Sequence, residues 1–97
     1  MNIKEVRKRI DGIDQKILKL ISERFALLPH VIKYKIDNNL PIQDIKREKE
    51  ILQNRIKEAK YLKINPKFVQ DIFKNIMVEA RKIQKVNLNK VKNANKK

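Results

Sequence analysis

Apolar residues recur along the first third of the chain at Ile3, Val6, Ile10, Ile13, Ile17 and Leu20, then at Leu27, Val31 and Tyr34. Steps that alternate between three and four put these side chains on one side of a helix, as a seam that packs against other helices. The pattern predicts a first helix from about Asn2 to Asp37, stopped by Asn38-Asn39-Leu40-Pro41. A second helix is expected from Ile42 or Gln43 to between Lys60 and Lys63, with Ile45, Ile51, Leu52, Ile56 and Ala59 on its apolar side. Asn65-Pro66 reads as an N-cap followed by proline at the first helical position. It opens a third helix that carries Val69, Ile72, Phe73, Ile76, Ala80 and Ile83. The fold class is all-α: a three-helix protomer with one long N-terminal helix.

One position breaks the seam. Arg24 occupies the slot between Leu20 and Leu27 where another apolar side chain is called for. A guanidinium facing a packed seam is costly unless an anion meets it, from the protein or from a ligand. The helix is also awkwardly long. More than thirty residues at about 1.5 Å each extend roughly 50 Å, whereas a compact chain of this size has a radius of gyration of about 12–13 Å. Two shorter helices of the same chain cannot cover it, so a symmetric dimer sharing its long helices is expected. Pro29 removes one helical hydrogen bond and clashes with the preceding turn. A kink is expected there in preference to a break, because the seam continues in phase through Val31 and Tyr34.

Composition narrows the classes. Ninety-seven residues make one small domain that gains much from oligomerising. The absence of cysteine excludes a disulfide framework and thiolate metal sites, and a single histidine, His30, excludes most histidine metal sites. No apolar stretch is long enough to span a bilayer, and the N-terminus opens straight into helical periodicity with no signal-peptide core. A soluble, cytoplasmic protein is the expectation. The formal net charge of +14 is partly a matter of the end of the chain, where Lys85, Lys90, Lys92, Lys96 and Lys97 have no acid among them. Residues 1–85 read as the helical domain and residues 86–97 as a basic, disordered tail. Basicity attracts nucleic acid, acidic membrane or an anionic metabolite, and by itself selects none of them.

The polar residues on these helices carry the candidate chemistry. Arg24 and Lys35 are eleven residues apart and nearly aligned, separated by about 16 Å along the axis, so two long cationic side chains leaning together bracket a small anion. Arg7 lies seventeen residues before Arg24, roughly 25 Å away and about 100° around the helix. It cannot reach the same ligand within one chain, but an antiparallel partner brings its own copy there. Asp44, Arg47 and Glu48 cluster at spacings of three and four, and Gln84 continues the apolar stripe four residues after Ala80. Each has a plainer reading: a solvated salt-bridge cluster, an exposed glutamine, a surface lysine, and for Arg24 a structural ion pair. The joint pattern of cations, an acid pair and a neutral amide on three helices is what carries weight.

These residues resemble the all-helical, type II chorismate mutase family. The likeness runs from about Val6 to Gln84 through Val6-Arg7, Ile10, Ile13-Asp14, Leu20-Ile21-Ser22-Glu23-Arg24, Lys35, Pro41-Ile42-Gln43-Asp44-Ile45-Lys46-Arg47-Glu48, and Glu79 through Gln84. The resemblance implies an intertwined antiparallel homodimer with two equivalent sites. It implies an isomerase that converts chorismate to prephenate, at the branch to phenylalanine and tyrosine, with no covalent intermediate, metal or cofactor. By that likeness Arg24 and the other subunit's Arg7 clamp the two carboxylates, since guanidinium forks match them bidentately. Arg47 adds positive potential. Lys35 and Gln84 donate to the ether oxygen, where negative charge develops. Glu48, with the Asp44 backbone, accepts from the ring hydroxyl. Arg24, Lys35 and Gln84 are thus the expected catalytic residues, and Arg7, Asp44, Arg47, Glu48 and Ala80 complete the expected substrate contacts.

Two departures stand out. Ala80 replaces a serine that contacts a substrate carboxylate in many members, and Pro29 falls where members usually continue an unbroken helix. Other readings remain open. An isochorismate–pyruvate lyase shares the fold, though such lyases generally lack an acid at the position of Glu48. A basic nucleic-acid-binding protein fits the charge, but aromatic residues are scarce and no recognition-helix turn is evident. A structural dimerisation module would pair Arg24 with Glu48. No dehydratase, dehydrogenase or regulatory domain accompanies the helices, so a stand-alone enzyme is expected.

Overall fold

The computed structural model describes residues 1–95, which form four helical stretches: α1 Ile3–Ala26, α2 Leu28–Asp37, α3 Ile45–Tyr61 and α4 Pro66–Asn95. No described helix is long and apolar enough to cross a membrane. Three of the four starts, those of α1, α3 and α4, have a side-chain cap. The Asn2 side chain accepts the Glu5 amide at 2.9 Å, that of Asp44 accepts the Arg47 amide at 3.0 Å, and that of Asn65 accepts the Lys67 amide at 3.0 Å. These side chains satisfy amides that the first helical turn leaves without an intrahelical acceptor. The second major helix therefore begins at Ile45, two to three residues later than its periodicity suggests, because Asp44 caps it from outside.

The helix ends share a device. Asn39 and Lys63 adopt φ of 54° and 59°, and the amides of Leu40 and Ile64 reach back to the carbonyls of Lys35 and Ala59 at 2.8 and 2.9 Å. A left-handed residue of this kind turns the chain sharply while satisfying terminal carbonyls.

The first predicted helix is interrupted at a single residue. Leu27 caps α1 with its amide on the carbonyls of Arg24 and Phe25, yet keeps αR dihedrals of −84° and −12°. Pro29 lies in the first turn of α2, where its missing N–H is not needed. The two stretches are thus separate helices divided by Leu27 alone, whose backbone stays in the αR region.

The core sits among α2, α3 and α4, where Leu28, Ile32, Ile51, Ala59, Met77 and Ala80 are buried. α1 buries none of its residues. The described residues extend 61 × 28 × 15 Å with a radius of gyration of 17.4 Å, well above the roughly 12–13 Å of a compact chain this long. Within the single chain, α2 turns a face inward that differs from the seam. Leu28, Ile32 and Lys35 turn inward, whereas Leu27, Val31 and Tyr34 remain exposed. At about 100° per residue, Arg24 lies between these two stripes, within about 40° of Leu28 and 20° of Val31. It borders the seam, with one side toward its own chain.

A second correction concerns the end of the chain. Residues 86–95, expected as a disordered tail, continue α4 without interruption. Asn87 and Val91 continue the Ala80–Gln84 line of α4 at steps of three and four and border one cleft with Ile32 and Ile36 of α2, which the Asn and Lys content of this stretch hides. Lys96 and Lys97 lie outside the described residues.

Candidate active site

A cavity of about 330 Å³ opens where the end of α1, α2, the α2–α3 turn, α3 and α4 converge. Its size suits a small metabolite. Arg24, Lys35, Asp44, Arg47, Glu48, Ala80 and Gln84 all line it, together with Arg81 and an apolar wall that includes Ile51 and Met77. Arg7 is not among them; it sits near the other end of α1 beside Ile3, Lys4 and Asp11.

Lys35 and Gln84 form the floor. Both are buried, at 9% and 5% exposure, and the lysine Nζ donates to Gln84 Oε1 at 2.7 Å and to the carbonyl of Ile42. The left-handed turn at Asn39 brings Ile42 back over the end of α2, which places that carbonyl within reach. An ammonium has three protons, so one remains free for a ligand. With its oxygen occupied, Gln84 has its amide N–H groups to offer. Burial pulls the Lys35 ammonium below the usual lysine range, and the nearby carboxylates of Asp44 and Glu48 offset part of that pull.

The two acids are already engaged. Asp44 caps α3, and Glu48 Oε1 accepts from Arg81 Nη1 at 2.5 Å. The cations are less satisfied. Among the described residues Arg47 pairs only with Glu50, at 3.6 Å, and the pair is half exposed at both ends. Arg24 makes no ion pair or side-chain hydrogen bond among the described residues. Its pKa is lowered, first by burial and then by the neighbouring guanidiniums of Arg55 and Arg47. A cation so placed gains most from an added anion. The rival reading of a structural Arg24–Glu48 pair finds no support among the described residues, where Glu48 pairs with Arg81.

Arg81 is the residue that sequence reasoning passed over. Its signal was present: three positions before Gln84 and four after Met77, it shares their face of α4. Nothing local, however, pairs it with Glu48, 33 positions away.

The cavity thus offers unpaired or loosely paired cations, one ammonium proton and one neutral amide, with its acids held by internal partners. Such a site favours a small anionic molecule that can accept hydrogen bonds.

Comparisons with known proteins agree on one family. The sequence profile described as chorismate mutase type II matches residues 6–85. A chorismate mutase of the archaeon Methanocaldococcus jannaschii is 39% identical over 93 residues, covering 96% of this chain and 94% of that protein. A bifunctional chorismate mutase/prephenate dehydratase of Buchnera aphidicola is also 39% identical, over 93% of this chain but only 23% of its own length. The T-protein of Haemophilus influenzae is 32% identical over 80% of this chain and 21% of its own length. The chain therefore spans nearly all of the archaeal relative and about a quarter of the bifunctional ones.

Proposed function

The chain belongs to the type II chorismate mutase family, and on that premise we propose that it is an isomerase converting chorismate to prephenate. The observation that carries this reading is the buried Lys35–Gln84 pair beneath cations that have no strong internal partner. Chorismate carries two carboxylates and an enolpyruvyl ether. As the ether C–O bond breaks and the new C–C bond forms, negative charge grows on the ether oxygen. The free proton of Lys35 and the amide of Gln84 stabilise that charge more than they stabilise the ground state, which lowers the barrier. Arg24 holds one carboxylate and Arg47 adds potential beside it, so the side chain is confined over the ring. The ring hydroxyl donates to Glu48. Electrons move within one cyclic array, so no residue acts as nucleophile or general base.

The working unit of this proposal is an intertwined antiparallel homodimer. Its support is the unburied face of α1, where Ile10, Ile13, Ile17 and Leu20 stand 49, 55, 49 and 62% exposed. A continuous apolar stripe of this kind is covered when two copies exchange their long helices. Antiparallel exchange carries Arg7 of the partner subunit toward the open side of the cavity, where it clamps the second carboxylate. Chorismate turnover by the wild type, with isochorismate supplied in parallel, tests the reading. Prephenate from chorismate is expected. Pyruvate release from isochorismate without prephenate formation would replace it with the lyase.

A further inference from the structure

Four of the five ion pairs among the described residues join positions three or four apart within one helix and are largely exposed. The fifth is different. Arg81 on α4 meets Glu48 on α3 across 33 positions, in the cavity wall, with side chains only 26 and 22% exposed. A half-buried pair of this kind gives back much of its attraction as lost hydration, so stability alone is a weak reason for its presence. Its geometry suggests a stronger one. Arg81 occupies Oε1 of Glu48, and Oε2 has no hydrogen-bond partner among the described residues. A carboxylate held by one oxygen leaves the other as a fixed, unsatisfied acceptor, here on a residue that lines the cavity.

We propose that Arg81 is a positioning residue: it anchors Glu48 so that Oε2 reads the ring hydroxyl of the substrate, and the pair together sets selectivity for a hydroxylated ring. This rests on the mutase reading above. Arg81 does not touch the reacting atoms; it acts through Glu48. A lysine in its place keeps the charge but not the guanidinium fork, and holds the carboxylate less firmly.

The test measures binding, by calorimetry, of two cyclic ether dicarboxylates that mimic the transition state, one with the ring hydroxyl and one without it. The wild type is expected to favour the hydroxylated compound by on the order of ten- to a hundredfold, the range of a hydrogen bond to a charged acceptor. Arg81→Met should collapse that ratio to about one while leaving the deoxy compound's affinity within about twofold. Glu48→Gln should reduce the ratio similarly, and the double variant should be no worse than either single one, since both changes disable one unit. Arg81→Lys should fall between wild type and Arg81→Met. An Arg81→Met variant that keeps the ratio, or that weakens both compounds equally, overturns the proposal. If Arg81→Met loses its helical circular dichroism, Arg81→Lys and Glu48→Gln carry the same comparison, and an unchanged ratio in both overturns it equally. A wild type that binds both compounds but does not turn over chorismate defeats the mutase reading, while a ratio that still collapses in Arg81→Met upholds the positioning role and one that does not overturns it. Binding of neither compound defeats both.

Discussion

The Lys35 ammonium donates to Gln84 Oε1 at 2.7 Å, tying α2 to α4 across 49 positions of the chain. The contact settles which way the Gln84 amide faces: oxygen to the lysine, N–H groups to the cavity. A neutral amide needs no proton to donate, so turnover by the wild type should stay nearly flat from mildly acidic to neutral pH. In Gln84→Glu the carboxylate accepts from Lys35 when ionised and donates to nothing. That variant should lose activity at neutral pH and recover as pH falls and the carboxyl gains a proton. Paired pH–rate profiles check this, and a steep loss of wild-type turnover between pH 5 and 7 argues against the role given to Gln84.

Among the described residues Arg24 has no acid partner to leave behind, so removing it should harm chemistry more than folding. Arg24→Ala is expected to lower kcat/KM by on the order of a hundred- to a thousandfold, the usual scale for a charge-assisted contact to the reacting ligand. Helical circular dichroism and oligomeric state should persist. Arg24→Leu should match or exceed the wild type in thermal stability, because it removes a half-buried, uncompensated charge. A drop in melting temperature of several degrees would point to a structural role instead.

Lys35 supplies a pH prediction from its lowered pKa. Burial disfavours the charged form, so the free enzyme sheds this proton at lower pH than the ordinary lysine value of about 10.4. The basic limb of kcat/KM should therefore appear below that value. A bound dianion restores the proton, so the limb in kcat should lie higher. Stability moves the other way. Between the folded and unfolded values the unfolded chain binds more protons, so this group makes the fold more stable as pH rises through that window. Coincident limbs in kcat and kcat/KM would contradict the arrangement.

Assembly is open to a complementation experiment. If Arg7 serves the partner subunit's cavity, Arg7→Ala and Arg24→Ala are each inactive alone, yet a heterodimer of the two contains one intact site and one doubly damaged site. Coexpression should restore about a quarter of wild-type activity, since half of a statistical mixture is heterodimer with one of two sites working. No recovery in a mixture shown by mass spectrometry to contain heterodimers would rule out donation across the interface.

Ala80 is buried in the cavity wall at 6% exposure and offers no polar atom there beyond its backbone. Ala80→Ser should lower KM for chorismate a few-fold with little change in kcat, because an added ground-state contact improves binding of substrate and transition state alike. Steady-state kinetics of this single variant decide the matter.

Local rules account for much of this protein. Asn2, Asp44 and Asn65 mark helix starts because capping depends on a few neighbouring residues, and the helical period alone aligns Arg24 with Lys35. The unmet seam of α1 and the length of the first segment were equally legible, and both argue for a second copy. What periodicity could not decide was which side of a helix turns inward. Within the single chain Leu28 and Ile32 are buried while the seam residues Val31 and Tyr34 stay exposed, because the inward face is set by how α2 packs against α4. α4 runs on to Asn95, with Asn87 and Val91 continuing the face that borders α2, although the composition there favours disorder. The links from Lys35 to Gln84 and from Glu48 to Arg81 lie beyond any local rule. They join residues 49 and 33 positions apart, and only the packing of α2 and α3 against α4 brings those side chains within hydrogen-bonding distance.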